Sequence, residues 1–158
     1  MKEHPFVRLP ASLHAVPFLS GLDDKLFDSV LSGSILVEFA PEDTVLSEGE
    51  NGDEFYVLLS GALDIIKDGA KVGRVGSRGE TVGELVLVNG EPRAASVVAA
   101  EKSFCLRVDR STLDHLQGEE KIEYQAALYR FLTLVLIERL HATNERVAEL
   151  EKKLGATG

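Results

Sequence analysis

The stretch "EFYVLLSGALDIIKDGAKVGRV", residues 54–75, decides the fold. It is built from short apolar runs rich in Val, Leu and Ile, broken by Gly. Asp68-Gly69 stands between "LDIIK" and "AKVGRV", a strong signal for a two-residue hairpin. The same character extends outward on both sides. "ILVEFA" and "DTVLSEG" precede it, and "AASVVAA" and "SFCLRVD" follow, between glycines at 49, 52, 61, 69, 73, 76, 79, 83 and 90. Many short strands with frequent turns predict a mainly β fold, a sandwich or jelly-roll barrel of the double-stranded β-helix kind. One interruption, "GELVLVNG" at 83–90, reads as a helical turn.

Helices are expected on both flanks. Upstream, residues 10–34 read as short helices. In "SGLDDKLFDSVLSG", Leu22, Leu26, Phe27 and Val30 fall at helical spacing, with Ser20 or Asp23 as N-cap and Gly33 as the stop. Downstream, Ser111 or Thr112 opens a short helix. A Gly- and Pro-free stretch then runs from about Glu119 to Leu154. Ile122, Tyr129, Leu136, Thr143 and Leu150 recur at heptad spacing, and Ala126, Thr133, Leu140, Val147 and Leu154 form the companion row. Leu128, Phe131, Leu132 and Val135 add a second apolar face, so the first half of this helix must bury more than one side. A helix lying along its own barrel accounts for part of this pattern. Apolar residues out to Leu154 outrun a small barrel, so self-association is the preferred reading. The expected organisation is a binding domain over 10–118 and a dimerisation helix over 119–154, making a homodimer.

Composition narrows the function. With a formal net charge of −9, the chain is a poor general partner for nucleic acid, whose affinity rests on Lys and Arg, and for anionic membrane surfaces. Cys105 is the single cysteine, so no internal disulfide can form. The N-terminus lacks a signal-peptide core, and "FLTLVLI" at 131–137 is too short to span a bilayer. A cytoplasmic protein is expected. His4, His14, His115 and His141 are scattered without a second ligand at metal spacing, so no metal site is expected. Motifs of nucleophilic hydrolases, zinc hydrolases and P-loop enzymes are absent from the sequence. A barrel enzyme would need a His-rich cluster or an acid–base pair, and neither is visible; no catalytic activity is expected.

Arg93 is the anomaly. It stands in an otherwise apolar, strand-like run, ten residues after Gly83. Gly83 permits backbone conformations closed to other residues and a close ligand approach. The turn that follows points backbone N–H groups outward, and Arg93 supplies a forked, permanently charged donor for the same anion. Ala94 and Ala95 leave room beside it. Glu84 makes sense there if it accepts a hydrogen bond from a hydroxyl, and a sugar phosphate carries both groups. The alternative on spacing alone is that Glu84 caps a turn and Arg93 pairs with Glu91 or Glu84.

"GELVLVNGEPRAASV", residues 83–97, resembles the phosphate-binding cassette of cyclic nucleotide-binding domains. "SEGENGDEFYVLLSGALDI", with Glu48, Gly49, Gly52, Asp53, Tyr56 and Gly61 in place, resembles the upstream barrel signature of that family, and "VPFLSGLDDKLFDSV" its helical lead-in. The resemblance implies that Gly83, Glu84, Leu85 and Val86 line the cassette turn around a cyclic phosphate. It implies that Glu84 holds the ribose 2′-hydroxyl and Arg93 the exocyclic phosphate oxygens. Ala94 stands where cGMP-selective members often carry Thr, which favours cAMP; cGMP and a cyclic dinucleotide stay open. "RLHATNERV", residues 139–147, is similar to the dimer helix of the catabolite activator branch. By that likeness Arg139, Thr143 and Asn144 reach the ligand, one of the polar pair across the dimer. A polar notch fixing coiled-coil register is the other reading of Thr143 and Asn144. The family's usual Phe before Gly-Glu is Val82 here, and its small residue after Leu is Val86. These departures motivate a second hypothesis, a ligand-free dimeric scaffold. No recognition helix follows the dimer helix in this sequence. The expectation is therefore a stand-alone cAMP sensor that signals to an effector protein, not a DNA-binding regulator.

Overall fold

The computed structural model describes residues 1–4, 20 and 23–156. Nine strands are found among them: β1 (Lys2–His4), β2 (Ser34–Phe39), β3 (Thr44–Leu46), β4 (Glu54–Ser60), β5 (Leu63–Lys67), β6 (Ala70–Val75), β7 (Thr81–Val82), β8 (Ser96–Ala99) and β9 (Ser103–Asp109). Helices α1 (Asp24–Ser32), α2 (Val86–Asn89), α3 (Ser111–Asp114) and α4 (Gly118–Ala156) complete the order. The fold is mainly β with a long C-terminal helix, as expected. The expected short helices before residue 20, and Leu22, lie outside the described residues.

The strands form two antiparallel sheets, ordered β1-β2-β9-β4-β7 and β3-β8-β5-β6. Among the described residues no ladder joins them, so the jelly roll is an open sandwich and not a closed barrel. The chain crosses between the sheets through loops. Of the four end strands, β1, β3 and β7 are only three, three and two residues long. The expected hairpin is present: Asp68 (φ 50°) and Gly69 (φ 77°) turn β5 into β6 in the left-handed backbone that this pair of residues tolerates. β1 and β7 had no expectation behind them, because two or three residues carry no readable alternation.

Strands β4 and β9 face two cores at once. Phe55, Val57, Leu106 and Val108 point to an outer core that they share with Phe27 and Val30 of α1 and with Tyr124, Leu128, Phe131 and Leu132 of α4. Tyr56, Leu58 and Cys105 point to the inner core between the sheets, with Val37, Phe39, Leu63, Val82 and Val97. This is the period-two alternation of a strand buried on both faces. α4 therefore has one face on the sheet. Its heptad rows stay outside: Ile122, Tyr129, Leu136, Leu140, Val147, Leu150 and Leu154 are all exposed.

Candidate functional site

Gly83, just past β7, has φ of 81°, a backbone that L side chains avoid. A Cβ there would lie 2.8 Å from Arg93 Nη1 and 2.9 Å from Leu46 Cδ1, so both dihedral angle and space require glycine. The chain then makes the single turn α2, closed by Gly90 in the left-handed region. The sequence set Arg93 within a strand. It lies instead in the loop between α2 and β8, and that loop is what lets its side chain turn inward. Its own backbone is clamped to the β3–β4 loop, with Gly49 N donating to Arg93 O (2.8 Å) and Arg93 N to Glu50 O (2.9 Å).

The guanidinium is buried, 7% exposed for the residue. Nη1 donates to Gly83 O at 2.9 Å and Nη2 to Glu54 O at 2.6 Å. Glu54 Oε1 stands 3.6 Å from Nη2. Neither alternative partner, Glu84 nor Glu91, takes this role. Glu91 instead accepts from Asn89 Nδ2 at 3.2 Å, and Glu84 belongs to the helix. Its Oε1 accepts from Arg139 Nη1 at 2.6 Å, while Arg139 Nη2 donates to Thr81 O at 2.9 Å. Glu84 is 1% exposed, and its Oε2 is buried without a hydrogen-bond partner among the described residues. A buried carboxylate with one oxygen satisfied and the other open is costly unless a donor is brought to it.

These groups surround a cavity of about 200 Å³. Of the residues expected at the site, Val82, Gly83, Glu84, Leu85, Val86, Arg93, Ala94, Ala95 and Arg139 line it. Thr143 and Asn144 do not line it; both are exposed on α4, and the Thr143 hydroxyl donates to Arg139 O at 2.8 Å. Sequence reasoning missed Leu46, Ile65 and Val97, which form the apolar wall, and Asn89, Glu91 and Pro92 at the cassette's far end. Ile65 and Val97 face each other across β5 and β8, a juxtaposition that strand alternation suggests only once the pairing is known. The upstream signature also has structural work: Glu48 accepts from Lys67 Nζ (2.7 Å) and Asp68 N (3.1 Å), fixing the β5–β6 hairpin against the loop that clamps Arg93.

The arrangement offers a buried forked cation, a buried carboxylate with one unpartnered oxygen, an apolar wall and a second cation arriving from another element. Its groups are chemically suited to an anion that also carries a hydroxyl and an apolar ring. Among the described residues no group of three or more His, Cys, Asp or Glu is placed to hold a metal ion. No helix among them is long and apolar enough to cross a membrane.

Comparison with known proteins identifies the family. The family described as "Cyclic nucleotide-binding domain" matches residues 36–119. A cGMP-dependent protein kinase of Eimeria tenella is 34% identical over 80% of this chain and 12% of its own length. A cAMP-dependent protein kinase regulatory subunit of Yarrowia lipolytica is 40% identical over 60% of this chain and 25% of its own. The chain thus spans a quarter or less of these two relatives. A solved cyclic nucleotide-binding domain from Methylobacillus flagellatus shares the fold at 21% identity, with TM-score 0.73 over 87% of this chain and 84% of that one. A mutant regulatory subunit of a cAMP-independent protein kinase A from Trypanosoma brucei, bound to cAMP in the A site, is 30% identical, with TM-score 0.57 over 73% of this chain and 48% of that one.

Proposed function

We propose that this chain, which belongs to the cyclic nucleotide-binding domain family, is a cAMP sensor that passes ligand occupancy through α4 to a partner protein. The observation that carries the reading is the pairing of buried Arg93 with buried Glu84 at one cavity. Arg93 keeps N–H donors beyond those spent on Gly83 O and Glu54 O, and these take the exocyclic oxygens of a cyclic phosphate. The open Oε2 of Glu84 accepts the ribose 2′-hydroxyl. Gly83, Leu85 and Val86 pack around the phosphate, and Leu46, Ile65, Val82 and Val97 cover the apolar part of the nucleoside. The family is regulatory, and no catalytic role is assigned to any residue.

The preference for cAMP over cGMP rests on Ala94. The three substitutions in the cAMP-bound Trypanosoma mutant replace a Glu, a Thr and a Val by Ala, Arg and Ala, at the relative spacing of Val86, Arg93 and Ala94. This chain natively carries an apolar residue, Arg and Ala at that spacing. Arg93 and Ala94 match the residues introduced in that mutant, whereas Val86 is larger than its Ala, so the departure at Val86 stands.

The output is α4, with residues 10–118 acting as the binding domain and 119–154 as the dimer helix. Arg139 ties the cassette to this helix, and the exposed heptad rows give a seam for a second copy. Ligand shifts the helix pose only by its differential affinity for the two poses. In a dimer, Thr143 and Asn144 contribute from the seam to the adenine edge. Sedimentation of the purified chain tests this part; a monomer at tens of micromolar removes the dimer from the mechanism.

Calorimetry with cAMP and cGMP tests the binding reading. Charged hydrogen bonds are worth about 1.5–3 kcal/mol each, so Arg93→Ala is expected to weaken cAMP binding roughly tenfold to a few hundredfold. Wild-type protein without millimolar affinity for either nucleotide would sink the reading in favour of a ligand-free scaffold.

A further inference from the structure

Glu54 is an acidic side chain beside the buried cation assigned above to a phosphate. It belongs to β4, at the end of "NGDE", and it is not among the residues lining the cavity. Its main chain and side chain meet Arg93 in different ways. The carbonyl accepts from Nη2 at 2.6 Å, a short and well-formed hydrogen bond. The carboxylate Oε1 stays at 3.6 Å from the same nitrogen, too far for a hydrogen bond but close enough to form an ion pair. Oε2 accepts from Asp53 N at 3.1 Å, which holds the carboxylate in place. Gly52 leaves the room for this pair, since a Cβ there would lie 2.6 Å from Arg93 Nη2 and 3.1 Å from Glu54 Oε2. The Arg93 side chain is 5% exposed and that of Glu54 32%, so solvent screens the pair incompletely.

These contacts separate orientation from charge. Two carbonyls, Gly83 O and Glu54 O, and the backbone clamp to residues 49 and 50 fix the guanidinium. The Glu54 carboxylate adds no hydrogen bond to that frame. What it adds is a negative charge behind the cation. The charge reaches further inward too: burial, with the Glu54 charge adding to it, pushes the Tyr56 phenol up to about 12.

We propose that Glu54 is a built-in counter-ion of Arg93 that holds down the affinity of the anion site, so that the protein responds to a higher ligand concentration than the cavity's contacts alone would set. An incoming phosphate binds an Arg93 whose charge is already partly compensated. The proposal rests on the cyclic-nucleotide reading of the same cavity. Glu54 is a tuning residue here, since it acts on the ligand only through Arg93.

Calorimetry with cAMP on wild type, Glu54→Gln, Arg93→Ala and the double variant decides it. Glu54→Gln keeps the carbonyl and removes the charge, and it is expected to tighten binding about threefold to tenfold, between the exposed-pair and buried-pair limits. In the Arg93→Ala background the same change is expected to leave affinity as it was, which a purely structural role of Glu54 would not produce. Unchanged or weaker binding by Glu54→Gln, with wild type binding normally, overturns the counter-ion and leaves the cyclic-nucleotide reading standing. No binding by wild type or Glu54→Gln overturns both. Binding by Glu54→Gln alone supports the counter-ion and overturns the sensor reading of the wild-type protein.

Discussion

The inner and outer cores share one sheet but serve different ends. The inner core runs from Phe39 and Cys105 to Leu46, Val82 and Val97, and the last three also line the cavity. Its packing places the cassette, so Arg93 is held from within the sandwich. The outer core contains no cavity residue. It seats the first half of α4 through Tyr124, Leu128, Phe131 and Leu132, and so sets where Arg139 stands two turns later. Alternate residues of β4 and β9 feed one core or the other, so the cavity and the helix are built on opposite faces of the same strands. The division teaches that the cavity and the long helix have separate foundations, bridged by the Arg139 contacts to Glu84 and Thr81.

The largest effect that can break this picture lies in the outer core. Phe131→Ala removes a buried ring that packs α4 on the sheet, and the expected cost is about 3–5 kcal/mol of unfolding free energy, read by equilibrium denaturation. The matching change outside the core, Leu140→Ala, is expected to cost well under about 1 kcal/mol in a monomer, because Leu140 is 60% exposed. Equal costs would show that the two faces of α4 are not distinct. Arg93→Ala is the counterpart on the inner side, where affinity falls while α4 keeps its seat.

Much of this division was legible in the sequence, for a physical reason. Strand and helix periodicities are local, so "EFYVLLSGALDIIKDG" and the apolar faces of α4 could be read directly. Gly83, Glu84 and Arg93 were legible because a permanent charge amid small and apolar residues demands a partner. What could not be read were contacts made at long separation. Arg93 has its carbonyl partner at Glu54, and nothing in "NGDE" says that the second acidic residue turns toward a residue 39 positions away. The Glu84–Arg139 bond spans 55 positions, and Arg139 was placed near the ligand by family likeness, not by spacing. The openness of the sandwich was also hidden, since strand runs do not disclose whether the end strands of two sheets meet.

A smaller and sharper test addresses the bridge itself. Glu84 is buried and Arg139 half-exposed, so the pair lies between a surface ion pair and a buried one. Solvent screening on the Arg139 side reduces its strength. A cycle of Glu84→Gln, Arg139→Gln and the double variant is expected to give a coupling of about 1 kcal/mol in the unliganded protein. Arg139→Gln alone should be the more damaging single change, because it leaves Glu84 buried with neither oxygen paired to a cation. If the bridge carries output, saturating cAMP must change the coupling, since the ribose hydroxyl and Arg139 then share one carboxylate. A coupling unaltered by ligand would mean that Arg139 only fastens the helix, and that occupancy reaches α4 through the packed side chains of the shared sheet.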